Sequence, residues 1–111
     1  MMSQARLCER VPFFARVTIT PSGGVPPFEA HSFDISLASV GLTSPRALAV
    51  GQVVSLAFHL PDGRGGQVTE MLPGRVVRAR SDECATTIGI EFLSPPDDRS
   101  TPVLAGKISR C

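Results

Sequence analysis

The sequence predicts an all-β domain, a six-stranded antiparallel barrel with a short C-terminal helix. Short segments of alternating polar and apolar residues recur along the chain, and clusters of Gly and Pro separate them. A spacing of apolar residues that suits a helix occurs near the C-terminal end. Several short strands at close spacing, with turn signals between them, are typical of small antiparallel barrels.

Length and composition limit the classes of function. The 111 residues correspond to one compact domain, and 42% hydrophobic residues with 19% charged residues are enough to build a core. A formal net charge of +1 does not favour duplex nucleic acid or an anionic membrane as a partner. The absence of Tyr and Trp argues against a stacking surface for single-stranded RNA or DNA. Any anion site must therefore be built locally.

The predicted strands follow from the period-2 alternation and its interruptions. In the first strand, Val17 and Ile19 alternate with polar residues, and the Pro- and Gly-rich segment 21–27 then forms a loop. The adjacent Pro73 and Gly74 predict a bulge or an edge position, because proline donates no hydrogen bond to a ladder. The expected strands are 13–20, a segment around Asp34, 40–44, 51–60, 67–80 and 86–93.

The chain after residue 93 is expected to form a short helix packed on the sheet. Ser100 is a candidate N-cap, and Pro102 suits the first turn. Val103, Leu104 and Ile108 lie on roughly one side of that helix.

No catalytic constellation is expected. His31, Asp34 and Ser36 are the residue types of a triad, but residue 31 shares a strand face with residues 33 and 35, whereas Asp34 and Ser36 point the other way. The carboxylates show no paired spacing, and the glycines of "PDGRGG" lie between two strands without the Lys-Ser/Thr of a phosphate-binding loop.

A metal site and an exported protein are not expected either. His59 lies in an apolar strand as a partly buried histidine, and Cys8, Cys84 and Cys111 lack the paired spacing of zinc ligands. An odd number of cysteines is typical of a reduced protein. The N-terminus lacks the apolar core of a secretory signal, and no segment approaches the ~18 apolar residues of a membrane span. We therefore expect a cytoplasmic protein.

The segment "FDISL" raises the main functional question, because aspartate is depleted from strands. If Phe33 and Ile35 belong to the core, Asp34 and Ser36 face outward. A carboxylate accepts two hydrogen bonds side by side, which matches the N1–H and N2–H donors of a guanine edge. The alternative is that Asp34 caps a turn and Ser36 is solvated.

The segment "RLCER" places two arginines before the first strand. Guanidinium groups stack on flat rings and form paired hydrogen bonds with phosphate or guanine. Arg6 and Arg10 could therefore close over a ligand that contains both groups. Alternatively, they are solvated charges, one of them offset by Glu9.

These two segments, in this order, resemble the motifs of the PilZ domain, a bacterial receptor for cyclic di-GMP. Arg6 and Arg10 match the two arginines of its RxxxR motif, and Asp34 and Ser36 match the acidic and hydroxyl positions of its DxSxxG motif. The resemblance covers nearly the whole chain, including "RVPFFARV", "GRVVRAR" and "IGIEF".

The resemblance implies a PilZ-type barrel that binds its ligand on the outer surface. It divides the single domain into a flexible arm (1–12), the barrel (13–93) and a helical tail (94–111). The implied protein is a non-enzymatic cyclic di-GMP receptor that signals to an effector protein in motility or biofilm control. It would be a monomer or weak homodimer without DNA, RNA, membrane or metal partners. The expected ligand-binding residues are Arg6, Arg10, Asp34, Ser36, Ser39 and Gly41.

One position departs from the motif. The final glycine of DxSxxG falls on Ser39, and a serine held at positive φ would cost about 1–2 kcal/mol. A PilZ-like interaction module that no longer binds the nucleotide is therefore the main alternative. An unrelated barrel that binds single-stranded nucleic acid is disfavoured by the near-neutral charge and the lack of Tyr and Trp.

Overall fold

A computed structural model describes residues 10–108, which form one antiparallel sheet and a short helix. No helix in this part of the chain has the length and apolar character needed to cross a membrane. The elements are β1 (Val11–Pro12), β2 (Arg16–Pro21), β3 (Phe28–Ile35), β4 (Ser39–Ser44), β5 (Val53–Pro61), β6 (Gln67–Ser81), β7 (Thr86–Phe92) and α1 (Pro102–Lys107).

Six of the strands close into a barrel. The strand order is β1-β3-β2-β5-β6-β7-β4, and β3 also pairs with β4, so the ring closes on itself. The short β1 is an additional strand on β3, where Val11 lies opposite Ile35 and Pro12 lies opposite Asp34. The predicted six-stranded antiparallel barrel with a C-terminal helix is therefore confirmed.

The core fills the barrel with the inward residues of each strand. Val17, Ile19, Leu56, Phe58 and Ile90 are all fully buried. The Phe58 ring packs edge-on against that of Phe92, with 6.4 Å between the ring centroids. Burying each of these side chains stabilises the fold by about 1.5–3 kcal/mol before entropy is counted.

The strand that carries Asp34 differs from the prediction in extent and in alternation. It begins at Phe28 and ends at Ile35, and its pairing with β4 shifts between Ser32 and Asp34. This irregularity adds a residue to β3, which reverses the alternation of its faces. Ser32 and Ile35 are consequently buried, whereas Phe33 is only partly buried and lies outside the core. The prediction that Phe33 is a core residue was therefore wrong.

The buried Ser32 hydroxyl binds the chain segment between β1 and β2. It donates a hydrogen bond to the Phe13 carbonyl at 2.7 Å and accepts one from the Ala15 N–H at 2.9 Å. The Ser32 N–H donates to the Ala15 carbonyl at 2.9 Å. The chain between the two strands is thereby held against β3, close to Arg10 just before β1.

The irregularity expected near Pro73 and Gly74 lies slightly further along β6. The pairing of β6 with β7 begins at Gly74, so Pro73 lies beyond the end of that ladder, and the register shifts between Val76 and Arg78. This second shift determines which face of β6 carries Arg78.

The C-terminal helix is capped from the barrel. Its N-cap is Thr101 and not the predicted Ser100, and Thr101 makes no side-chain capping bond. The buried Glu70 carboxylate of β6 accepts the Val103 N–H at 2.9 Å and the Leu104 N–H at 2.8 Å. These two N–H groups have no partner within the helix, so Glu70 both caps α1 and holds it on the sheet.

We expect Glu70→Ala to lower the free energy of unfolding by about 2–3 kcal/mol, because two buried N–H groups lose a charged acceptor. The exposed Glu83 in the β6–β7 turn provides a matched control, and Glu83→Ala should change stability by less than about 0.5 kcal/mol. Urea unfolding of the three proteins measures the difference. Equal stability of the two variants would contradict the capping role of Glu70.

Candidate functional site

The candidate site is centred on an ion pair on the outer surface of the barrel. Arg10 lies directly before β1, and Asp34 lies near the end of β3. The guanidinium Nη2 contacts Asp34 Oδ1 at 2.7 Å, and Nε contacts Oδ2 at 3.1 Å. The two side chains are 38% and 30% exposed, so this two-pronged pair is accessible to a ligand.

Ser39 contributes a third contact to Arg10. The Arg10 Nη1 donates to the Ser39 hydroxyl oxygen at 2.5 Å, so all three guanidinium nitrogens have a partner. Ser39 begins β4 opposite Glu91. None of the described non-glycine residues has a positive φ. The strain predicted at Ser39 was therefore wrong, because extended backbone accepts serine without that cost.

Ser36 lies beneath the site and not on its surface. Its side chain is buried, and its hydroxyl accepts the N–H groups of Ala38 at 3.1 Å and Ser39 at 3.2 Å. The Ser36 N–H also donates to the Ser39 carbonyl at 2.8 Å. The expected exposure of Ser36 was wrong, because β3 ends at Ile35 and the chain turns there. Ser36 shapes the turn that brings Ser39 next to Arg10.

A row of four residues runs across the barrel surface at the level of Asp34. Asp34 lies opposite Gly41, Gly41 lies opposite Gly89, and Gly89 lies opposite Arg78. A Cβ atom on Gly41 would lie 2.5 Å from Asp34 Oδ1 and 2.7 Å from the Phe33 ring. A Cβ atom on Gly89 would lie 3.2 Å from Arg78 Nη2. The two glycines thus form a floor over which the flanking side chains lie.

Arg78 is the residue that sequence reasoning missed. It is exposed on β6, and its positive charge helps to lower the pKa of Asp34. The segment "GRVVRAR" contains Arg75, Arg78 and Arg80, but which of them faces Asp34 depends on the register of β6 against β7. The relevant signal in the sequence is the pair of glycines in "VGL" and "IGI", which marks a close approach of other groups to two neighbouring strands.

The surroundings of Asp34 keep its carboxylate ionised. The hydrogen bonds from Arg10 are the largest cause of a lowered pKa, and partial desolvation opposes them. The charge of Arg10, the Gly41 N–H and the charge of Arg78 lower the Asp34 pKa further. The site therefore presents a permanent acceptor between two permanent cations.

The structure brings some of the expected site residues together and not others. Arg10, Asp34, Ser39 and Gly41 lie together, and Ser36 supports them from below, whereas Arg6 lies outside the described residues. Within residues 10–108, no three His, Cys, Asp or Glu side chains are grouped so as to hold a metal ion. The arrangement is suited to hydrogen bonding a ligand that offers paired donors and negative charge.

The fold and this surface define a small antiparallel barrel that carries a polar cluster on its outer face. The family model for the PilZ domain matches residues 4–105, and the chain belongs to the PilZ domain family. The domains of this family are binding and adaptor modules. Among curated proteins, no relative matches the sequence of this chain.

Three solved structures share the fold. The inhibitor of motility MotI/DgrA from Bacillus subtilis has a TM-score of 0.72 at 15% identity, and the match covers 96% of this chain and 49% of MotI. The PilZ domain of YcgR from Escherichia coli, solved with c-di-GMP, has a TM-score of 0.63 at 13% identity, covering 95% and 86%. The PilZ domain of CeSA from a cellulose-synthesizing bacterium has a TM-score of 0.56 at 20% identity, covering 78% and 82%. This chain spans about half the length of MotI.

We expect Gly41→Ala to destabilise the fold by about 1–3 kcal/mol, because the new methyl group collides with Asp34 and Phe33. Gly106→Ala is the control, since a Cβ atom at that helical position meets nothing within 4 Å. It should be neutral or slightly stabilising. Thermal unfolding of both variants tests the prediction, and an unaffected Gly41→Ala variant would contradict the close packing over the floor.

The stability contributed by Asp34 should depend on pH. Its carboxyl pKa is near 3.8 in the unfolded chain and lower in the folded protein, so the stabilisation is present above pH 3.8. It is lost as the pH falls through the folded pKa. Denaturant unfolding of the wild type and of Asp34→Asn should therefore show a stability difference at neutral pH that shrinks in acid. A difference independent of pH would exclude the ionised carboxylate as its cause.

Proposed function

We propose that this chain is a cyclic di-GMP receptor domain that signals the level of the nucleotide to a partner protein and catalyses no reaction. The observation that carries the proposal is the surface row in which a paired Arg10 and Asp34 face Arg78 across the floor of Gly41 and Gly89. Cyclic di-GMP combines two guanines with two phosphates, so it offers both the donors and the negative charges that such a surface binds.

Each side chain receives a role from its chemistry. Asp34 binds the N1–H and N2–H groups of a guanine, because its ionised carboxylate accepts two parallel donors. Arg10 and Arg78 bind phosphate oxygens or guanine, with Arg6 expected to join them from the N-terminal arm. Ser36 acts as a positioning residue through the turn that it holds.

The two glycines allow the flanking side chains to lie close to the sheet. Gly41 and Gly89 are buried, with Phe33, Asp34 and Arg78 packed over them, so a purine ring would lie against these side chains. The structure of YcgR with c-di-GMP and the membership of this chain in the PilZ domain family support the same ligand.

The receptor would act through another protein, because a non-enzymatic domain needs an effector to transmit the signal. MotI is an inhibitor of motility, which supports motility control as the pathway. We propose a monomer or weak homodimer in the cytoplasm, where a nucleotide messenger would reach it. The alternative is a PilZ-type interaction module without nucleotide binding, which is favoured by the Arg10 contacts that already occupy Asp34.

Isothermal titration with cyclic di-GMP tests the receptor. We expect saturable binding by the wild type and no binding of GTP. Arg10→Ala and Asp34→Asn should each bind about tenfold to 150-fold more weakly, which corresponds to the ~1.5–3 kcal/mol of a charge-assisted hydrogen bond. Arg64→Ala removes the same charge from the exposed turn at the opposite end of β6 from Arg78, and it should bind as the wild type does.

The outcomes separate the two candidate functions. Binding that is at least about tenfold weaker in the two site variants and unchanged in Arg64→Ala supports the receptor. Equal losses in Arg10→Ala and Arg64→Ala would indicate a general charge effect and contradict the site. No binding by the folded wild type would favour the interaction module.

A further inference from the structure

The Asp34 carboxylate is already occupied by groups of its own chain. Arg10 donates to it through Nε and Nη2, one hydrogen bond to each carboxylate oxygen. An ionised carboxylate has about four lone-pair positions, and the two that Arg10 leaves free point away from each other on opposite sides of the group. A guanine edge needs two adjacent positions, one on each oxygen. Guanine therefore cannot pair with Asp34 while Arg10 holds both oxygens.

Arg10 presents to Asp34 the same arrangement of donors as the guanine edge that it excludes. The Nε–H and Nη2–H bonds are two parallel donors on one side of a planar cation, as N1–H and N2–H are two parallel donors on one edge of a planar base. Both groups fit the same face of the carboxylate, so they compete for it directly.

Ser39 stabilises the self-occupied arrangement. Its hydroxyl accepts Arg10 Nη1, the one guanidinium nitrogen that Asp34 does not engage. A glycine, which the PilZ motif has at this position, would offer no side-chain acceptor. The Ser36 hydroxyl binds the Ser39 N–H and thereby fixes the start of β4 where its side chain reaches Arg10.

We propose that Ser39 is a positioning residue that lowers the nucleotide affinity of this domain by holding Arg10 on Asp34. We call the contacts of Arg10 with Asp34 and Ser39 the Arg10 clamp. Cyclic di-GMP binds by displacing Arg10 from Asp34, and the released guanidinium then contacts the ligand. This inference rests on the proposed function, which supplies the competing guanine.

The clamp is weak enough to open. Arg10 and Asp34 are each about one-third exposed, and ion pairs in contact with water contribute little net stability. A guanine edge together with two phosphates replaces the contacts that Arg10 and Asp34 make with each other, whereas the bond of Arg10 to Ser39 is lost. The clamp therefore sets a threshold for binding and does not close the site permanently.

Substitutions of Ser39 isolate the clamp, because Arg10 and Asp34 also contact the proposed ligand. Ser39→Ala removes the hydroxyl and keeps the extended backbone, whereas Ser39→Thr keeps a hydroxyl at the same place. We expect Ser39→Ala to bind cyclic di-GMP about threefold to tenfold more tightly than the wild type, the effect of one hydrogen bond lost from the free protein. Ser39→Thr should match the wild type.

A second measurement observes the Arg10 guanidinium directly and is made first without nucleotide. Hydrogen exchange of the Arg10 Nε–H, followed by nuclear magnetic resonance, reports whether the guanidinium is held. We expect slow exchange in the wild type and in Ser39→Thr, and exchange at least severalfold faster in Ser39→Ala. Saturation with cyclic di-GMP should shift the Arg10 Nε–H resonance of the wild type, because its partner changes.

The two measurements distinguish failure of the clamp from failure of the receptor. Equal Arg10 exchange in the wild type and in Ser39→Ala would overturn the clamp, whatever the nucleotide does. Unchanged affinity of Ser39→Ala, beside measurable binding by the wild type, would overturn displacement, and weaker affinity would overturn it and assign Ser39 a direct ligand contact. No binding by all three proteins would overturn the proposed function, and the displacement step with it.

Discussion

The pairing of β3 with β4 is the constraint on which the rest of this structure depends. It closes six strands into a ring, so each barrel strand has neighbours on both sides and the core is enclosed. It also carries the register shift that turns Asp34 toward the outer surface opposite Gly41. The same contact therefore completes the fold and builds the central position of the candidate site.

Buried hydroxyl groups connect the core to that surface. Ser32 ties the chain between β1 and β2 to β3, which places Arg10 at the edge of the barrel. Ser36 ties the turn before β4, which places Ser39 beside Arg10. Both serines bind backbone groups that would otherwise be left without partners in a closely packed region, a costly state in a protein interior. The geometry of the surface cluster thus depends on the buried serines beneath it.

The charge of the site is local. The chain as a whole has a net charge of +1, yet Asp34 and Arg78 lie in one row of the sheet, and Arg10 is paired with Asp34. The carboxylate between two cations remains an acceptor, and its partners lower its pKa instead of neutralising it by protonation. The Asp34 carboxylate can therefore exchange the Arg10 guanidinium for an external ligand without a change in its own protonation. Competition between the two requires no proton transfer.

The sequence predicted the barrel, most of its strand segments and the residue types of the site. Period-2 alternation is a local property, and Val17, Ile19, Ile88 and Ile90 are buried as that alternation predicts. The motif positions of Arg10 and Asp34 were likewise predicted from the sequence, and the structure brings these two residues together.

Strand pairing across the sheet sets which faces those residues occupy and what they contact. A single extra residue in β3 reverses the alternation, so Phe33 leaves the core, and the end of the strand at Ile35 buries Ser36 in a turn. The contacts of Ser39 with Arg10 and the place of Arg78 opposite Gly89 join segments that are distant in the chain. Local periodicity contains no information about strand register, because register is set by pairing across the whole sheet.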